Sequence, residues 1–225
     1  MTAPTLAGHD MHAEPFSIRC RLAARLNLGC LSAVLTPPSR FSTSADALGA
    51  LALSAAEGRP IVPVGTTSVR VLESAYWLAA RAAPDPKPSG ATLDGASQRA
   101  APLCSHASPA RVGDLGRLGQ WDAYNLSAAA PPPSRLEALT TLHGLAEAAG
   151  GRLYGATSLC IAPGYRFALC DGMVTNFHAP DSTLMLLVSA LLGGADNARE
   201  VYEHAVRRKY RFLSYGDSSL LLRAH

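Results

Sequence analysis

Within residues 163–194, PGYRFALCDGMVTNFHAPDSTLMLLVSALLGG, the run from Thr183 to Leu192 is apolar on nearly every face, with Leu184, Met185, Leu186, Leu187 and Val188 in succession. A helix of that composition has to be buried. Asp181 or Ser182 can cap it, and Gly193-Gly194 can stop it. Upstream, Pro163-Gly164 is a turn signal. Tyr165, Phe167 and Leu169 then alternate with Arg166, Ala168 and Cys170, which predicts a strand. Asp171-Gly172 suits a type I′ turn, whose two central residues need positive φ. The pattern therefore predicts a hairpin over 165–177, returning through Met173 to Phe177 and ended by Pro180. Between this hairpin and the buried helix stands a polar group, Thr175-Asn176-Phe177-His178. Packing alone would fill such a place with apolar side chains, so the group is a functional candidate.

The totals bound the rest. With 225 residues, 48% of them hydrophobic, the chain can build one sizeable core. Its net charge of +3 permits a nucleic-acid partner without requiring one. Arg199, Arg207, Arg208, Lys209 and Arg211 crowd near the C-terminus, where a solvated helix face explains them as well as a partner does. Cys20, Cys30, Cys104, Cys160 and Cys170 are widely spaced with no CxxC pair, which argues against a zinc site and a disulfide framework. No apolar run reaches the length of a membrane span. MTAPTLAGHDMHAEPF has no signal-peptide core, and residues 17–45, rich in Arg, Ser and Ala, lie too far inside to read as a transit peptide. A cytoplasmic protein without metal or membrane contact is expected.

In chain order, His9, Asp10, His12 and Glu14 form a compact polar group that suits either a metal or a solvated surface. Phe16 to Cys20 can form a short strand. Ala45 to Glu57 predicts a helix stopped by Gly58. Ile61 to Val64 reads as a short strand whose Pro63 marks an end or an edge. Gly65-Thr66-Thr67-Ser68 follows, and Val69 to Ala83 predicts a long helix with Val69, Leu72, Tyr76 and Ala79 on its apolar stripe. A strand–Gly loop–helix unit presents backbone N–H groups and a positive helix end to an anion. It is neither a Walker loop nor GxGxxG. Two readings stand: an ordinary cap built from Thr67 or Ser68, or a carboxylate or phosphate pocket with Arg70 and Glu73 on the first turns.

Residues 84–133, rich in proline and small residues, read as a flexible insertion, with some local order around Trp121 and Tyr124. Ser134 to Ala149 predicts a helix with a capping box, Ser134 and Glu137. Leu153 to Ile161 reads as strand. Asp196 or Asn197 caps a helix from Ala198 to Lys209. Tyr210 to Leu213 and Ser219 to Leu222 are strand-like pieces joined by Ser214-Tyr215-Gly216-Asp217, which can be catalytic or simple turn chemistry. The expected fold is a single α/β domain over 1–225, a mixed sheet with flanking helices.

Four segments, HDMHAE (9–14), VGTTSVRVLES (64–74), APGYRF with DGMVTNFHAPDSTLMLLVSA (162–190) and AVRRKYRFLSYGDSSLL (205–221), together resemble the C-terminal part of the S-adenosylmethionine:tRNA ribosyltransferase-isomerases of queuosine biosynthesis. The resemblance leaves out residues 17–45 and 84–150. It implies a chain lacking most of the family's N-terminal region and β-barrel domain, an incomplete α/β domain that calls for that missing domain or a partner chain. It departs from the family pattern at Ser158, Cys160 and Ala179.

The implied reaction moves the ribosyl moiety of S-adenosylmethionine onto 7-aminomethyl-7-deazaguanine in tRNA, giving epoxyqueuosine, adenine and methionine. S-adenosylmethionine is then a consumed substrate, with no other cofactor and no metal. Such chemistry needs a general base. His178 leads, with a structural histidine as the competing reading; Asp217 and Glu73 are alternatives. Gly65, Thr66, Thr67, Arg70, Asn176 and Tyr215 are the expected substrate-binding residues. The rivals are an inactive or truncated RNA-binding remnant of this family and an α/β hydrolase, against which the missing GxSxG elbow counts.

Overall fold

The computed structural model describes residues 38–82 and 112–223. The His9–Glu14 group, the expected strand at 16–20 and residues 84–111 lie outside the described residues.

β1 (Ser39–Ser44) leads directly into α1 (Ala45–Ala56), capped by the Ser44 hydroxyl, which accepts from the Ala47 N–H at 3.3 Å. α2 (Thr66–Ala82) starts three residues earlier than its apolar period suggests. β2 (Asp114–Leu118) and α3 (Asp122–Ala129) follow. α4 (Arg135–Ala148) opens on the expected capping box, with Ser134 and Glu137 exchanging both bonds. β3 (Arg152–Thr157) and β4 (Gly172–Asn176) precede the apolar α5 (Leu184–Leu191). α6 (Ala195–Arg207) and β5 (Ser218–Leu222) complete the described elements.

The strands form two sheets. In the first, β3 lies between β1, antiparallel, and β2, parallel. In the second, β4 and β5 pair antiparallel from Gly172–Leu222 to Asn176–Ser218. Residues 61–65 extend this sheet on the other side of β4, through a parallel bridge between Val64 and Val174. α1 packs on α4, and α2 lies against α4, β2 and β3. The shared core includes Leu48, Val69, Tyr76, Leu118, Leu139, Met173 and Val188. α5 buries Met185, Leu186, Leu187, Val188 and Leu191, as an all-apolar helix must.

Four expectations need correction. The hairpin over 165–177 does not form. Residues 165–170 are irregular, and β4 takes its partners from β5 and from residues 61–65. Gly172 is required by close approach and not by a turn: a Cβ there would meet the Leu221 carbonyl oxygen at 2.6 Å. The flexible insertion does not reach 133. β2 and α3 place Leu118 and Ala123 fully in the core. The local composition hid this because β2 finds its partner, β3, far along the chain. Finally, α6 starts at Ala195 with Gly194 in the capping position, ahead of Asp196 and Asn197, and 210–213 is not a strand.

Candidate functional site

Parallel pairing decides which residues share an end of the second sheet. The Val174 N–H donates to the Pro63 carbonyl at 2.9 Å, and the Gly65 N–H donates to the Val174 carbonyl at 2.7 Å. Residues 61–65 and β4 therefore finish side by side, bringing Gly65, Thr66 and Thr67 next to Thr175, Asn176 and His178. β5 begins at Ser218 opposite Asn176, so the preceding loop with Tyr215 and Asp217 arrives at the same end. The Leu213 N–H fixes that loop on the Phe177 carbonyl at 2.8 Å. Ligands in open α/β folds sit at such carboxyl ends.

Gly65, at φ 88°, turns the chain into α2, and its carbonyl accepts the first helical bond from Val69. Thr67 and Ser68 lie inside the first turn, so neither caps the helix. The first N–H groups of a helix have no intrahelical acceptor and favour an anion. Arg70, one turn on, strengthens that bias. Its Nε and Nη2 are removed from solvent and have no hydrogen-bond partner. Burial pushes its pKa down, opposed by the neighbouring Cys160. A guanidinium in this position is a cation awaiting a counter-ion.

Asn176 donates through Nδ2 to the carbonyls of Leu213 at 2.9 Å and Ser214 at 3.4 Å, tying β4 to the loop. His178 Nε2 lies 2.9 Å from the Thr175 hydroxyl, and its backbone N–H donates to the Tyr202 hydroxyl at 3.1 Å. Burial lowers the His178 pKa and favours the neutral ring. Asp217 accepts from the Arg211 N–H at 2.7 Å and lies 3.3 Å from Nη2 of Arg211. These bonds hold its carboxyl below the ordinary aspartate range and close the loop. Tyr215 is 95% exposed.

Glu73 departs from this end of the sheet. It is fully buried, and its carboxylate accepts from the Tyr165 hydroxyl and the N–H groups of Ala168, Leu169 and Cys170, all at 2.9–3.0 Å. These four donors make it the anchor of the segment read as a strand. Burial, then the Glu73 charge, raises the Tyr165 pKa well above its usual value and keeps the phenol a donor. The sequence reading missed Trp77, whose Nε1 donates to the Tyr165 oxygen at 2.8 Å. It also missed Arg135, which grips Asp171 with two bonds of 2.6 and 2.7 Å. Spacing held the signal for Glu73, because it follows Val69 by four residues on the inward stripe.

No hydrogen bond joins Arg70 to His178 among the described residues, and the backbone pairing alone assigns both to one end. On the basic C-terminal helix, Arg199 pairs with Asp196 at 2.9 Å and Arg207 with Glu203 at 3.8 Å, while Arg208 and Lys209 are exposed. Among the described residues no group of three or more His, Cys, Asp or Glu is placed to hold a metal, and no helix is long and apolar enough to cross a membrane.

Residues 135–221 match the family described as Queuosine biosynthesis protein. The S-adenosylmethionine:tRNA ribosyltransferase-isomerase of Dinoroseobacter shibae is 60% identical over 68 residues, covering 30% of this chain and 19% of that protein. Its counterpart in Erythrobacter litoralis is 46% identical over 116 residues, covering 48% of this chain and 33% of that protein. The matches thus span between a fifth and a third of these relatives' length. The crystal structure of S-adenosylmethionine tRNA ribosyltransferase from Thermotoga maritima aligns with 80% of this chain and 39% of its own, at 26% identity and a TM-score of 0.44.

Proposed function

We propose, starting from a chain that resembles the C-terminal part of the S-adenosylmethionine:tRNA ribosyltransferase-isomerases of queuosine biosynthesis, that it serves the same reaction. That reaction transfers and isomerises the ribosyl moiety of S-adenosylmethionine onto 7-aminomethyl-7-deazaguanine in tRNA. Epoxyqueuosine, adenine and methionine are the products. The observation that carries the reading is the half-buried Arg70, whose Nε and Nη2 have no hydrogen-bond partner, one turn into the helix that starts where residues 61–65 run parallel to β4. Arg70 and the N–H groups of Thr66 and Thr67 receive the methionine carboxylate of the substrate, a planar anion that a guanidinium grips with two bonds.

The sulfonium acidifies neighbouring ribose hydrogens, and a base must take one before adenine leaves and the tRNA amine adds. His178 is suited to that task. Its neutral form is favoured, and in the tautomer whose Nε2–H donates to the Thr175 hydroxyl, Nδ1 is the nitrogen that accepts the proton. Asn176 and Asp217 hold the loop that carries Tyr215 over the same end. Tyr215, exposed on that loop, then stacks on a base of the tRNA. Glu73 takes a positioning part, since all its donors are internal.

The test is incubation of hypomodified tRNA with the protein and S-adenosylmethionine, followed by mass spectrometry of the nucleosides. Epoxyqueuosine with the wild type, and a loss of at least a hundredfold in rate with His178→Ala, are expected. Binding of tRNA without any product instead favours the RNA-binding remnant. That second reading draws on the exposed Arg208 and Lys209.

A further inference from the structure

A cavity of about 290 Å³ lies between α2, α3 and the turn at 163–166. Trp77, Tyr124 and Tyr165 line it with aromatic rings, and Ser127, Gly164 and Arg166 stand around it. The polar atoms of the three rings are spent internally. Trp77 Nε1 donates to Tyr165, Tyr165 donates to Glu73, and Tyr124 donates to the Cys160 carbonyl at 3.0 Å while accepting from the Ala162 N–H at 3.1 Å. The rings are therefore held in fixed positions; the half-buried Tyr124 gives the cavity most of its ring surface, and the buried Trp77 and Tyr165 contribute their rims. Edge-to-face packing of Tyr124 on Tyr165, at 5.5 Å between centroids, adds to that rigidity.

Two polar groups of the lining are uncommitted among the described residues. They are the Ser127 hydroxyl, half-buried on α3, and the guanidinium of the exposed Arg166. A rigid aromatic wall, one hydroxyl and one free cation at the mouth match a planar base with a phosphate attached. The volume, near the lower end for small-molecule pockets, suits one nucleotide and not a longer ligand.

We infer that this cavity holds one unpaired nucleotide of an RNA chain. The base lies against Tyr124, Tyr165 and Trp77, Ser127 bonds its edge, and Arg166 pairs with its phosphate. Arg70 is not among the residues that line the cavity. Only its choice of RNA over a free nucleotide rests on the proposed function. The adenine of S-adenosylmethionine shares the base chemistry but carries no phosphate, so the two sources respond differently to Arg166.

The experiment titrates the full chain with a short single-stranded RNA, with adenosine and with adenosine monophosphate, following tryptophan fluorescence at several salt concentrations. Arg166→Ala is an exposed substitution, and Ala128→Trp, on the exposed side of α3, fills the cavity without touching the core. RNA is expected to quench the wild type. Arg166→Ala should weaken RNA binding about tenfold and lower the slope of log affinity against log salt by about 0.7, one single-strand phosphate contact. Ala128→Trp should weaken it at least as much. RNA binding unchanged in both variants overturns the inference, as does binding of adenosine as tight as that of RNA and indifferent to Arg166. RNA binding that depends on Arg166 without any epoxyqueuosine formed leaves this site standing and removes the proposed reaction.

Discussion

Arg70 and Glu73 lie one turn apart on α2; Glu73 is fully buried with its bonds made, and Arg70 is half-buried with two of its donors unpaired. Glu73 receives four donors from 165–170. Glu73→Ala leaves three backbone N–H groups and a phenol unpaired in the core. The expected cost is about 3–5 kcal/mol, the range for breaking a buried charged network from one side; urea unfolding checks it, and a loss under about 1 kcal/mol would remove Glu73 as the anchor. His178 gives a pH signature. Its folded pKa is depressed from 6.5 by burial, so as pH falls the unfolded chain takes up the proton first. Stability should be flat above about pH 6.5 and fall as pH drops through the lower folded value. Thermal midpoints at pH 7.5 and 5.5 should differ in the wild type, and His178→Asn should shrink that difference. An unchanged difference would mean that other groups set the slope.

Elements whose signals are local were legible in the residues alone. The Ser134–Glu137 capping box opens α4 as expected, and the all-apolar run 184–191 is a buried helix. Elements whose partners lie far away were not. Asp171-Gly172 resembles a hairpin turn, yet Asp171 is held by Arg135 and by both backbone groups of Ile61, and Gly172 faces Leu221. Burial alone pushes the Asp171 carboxyl up. The Arg135 hydrogen bonds, the Ile61 N–H and the charges of Arg135 and Arg223 outweigh it and hold the group below its usual range. Asp171→Asn should therefore lower stability by about 1–3 kcal/mol, the scale of a charge-assisted hydrogen bond, with denaturant midpoints as the readout. β2 makes the same point for 84–133. Leu118→Ala should cost about 2–4 kcal/mol, as for a fully buried leucine. A change within about 0.5 kcal/mol, typical of a surface position, would restore the view of this segment as a loose insertion.

Across the molecule, two sheets and the helices between them set up one candidate site by topology. The backbone pairing assigns the residues named from sequence, Gly65, Thr66, Thr67, Asn176, His178, Tyr215 and Asp217, to one end of the sheet, because 61–65 runs parallel to β4 and β5 starts where β4 ends. Motif order alone could not show that the gathering is by strand pairing and not by a hairpin. Nor could it show that two donors of Arg70 would be buried without a partner. On the proposed function this cation is kept for the substrate. Equilibrium dialysis of S-adenosylmethionine against the wild type and Arg70→Met, with urea midpoints measured on both, tests it most directly. Arg70→Met should raise the dissociation constant at least tenfold while its unfolding midpoint stays the same or rises, because a half-buried cation with two unpaired donors has been exchanged for an apolar side chain. Equal affinity in the two proteins, or a midpoint that falls with the substitution, would contradict it.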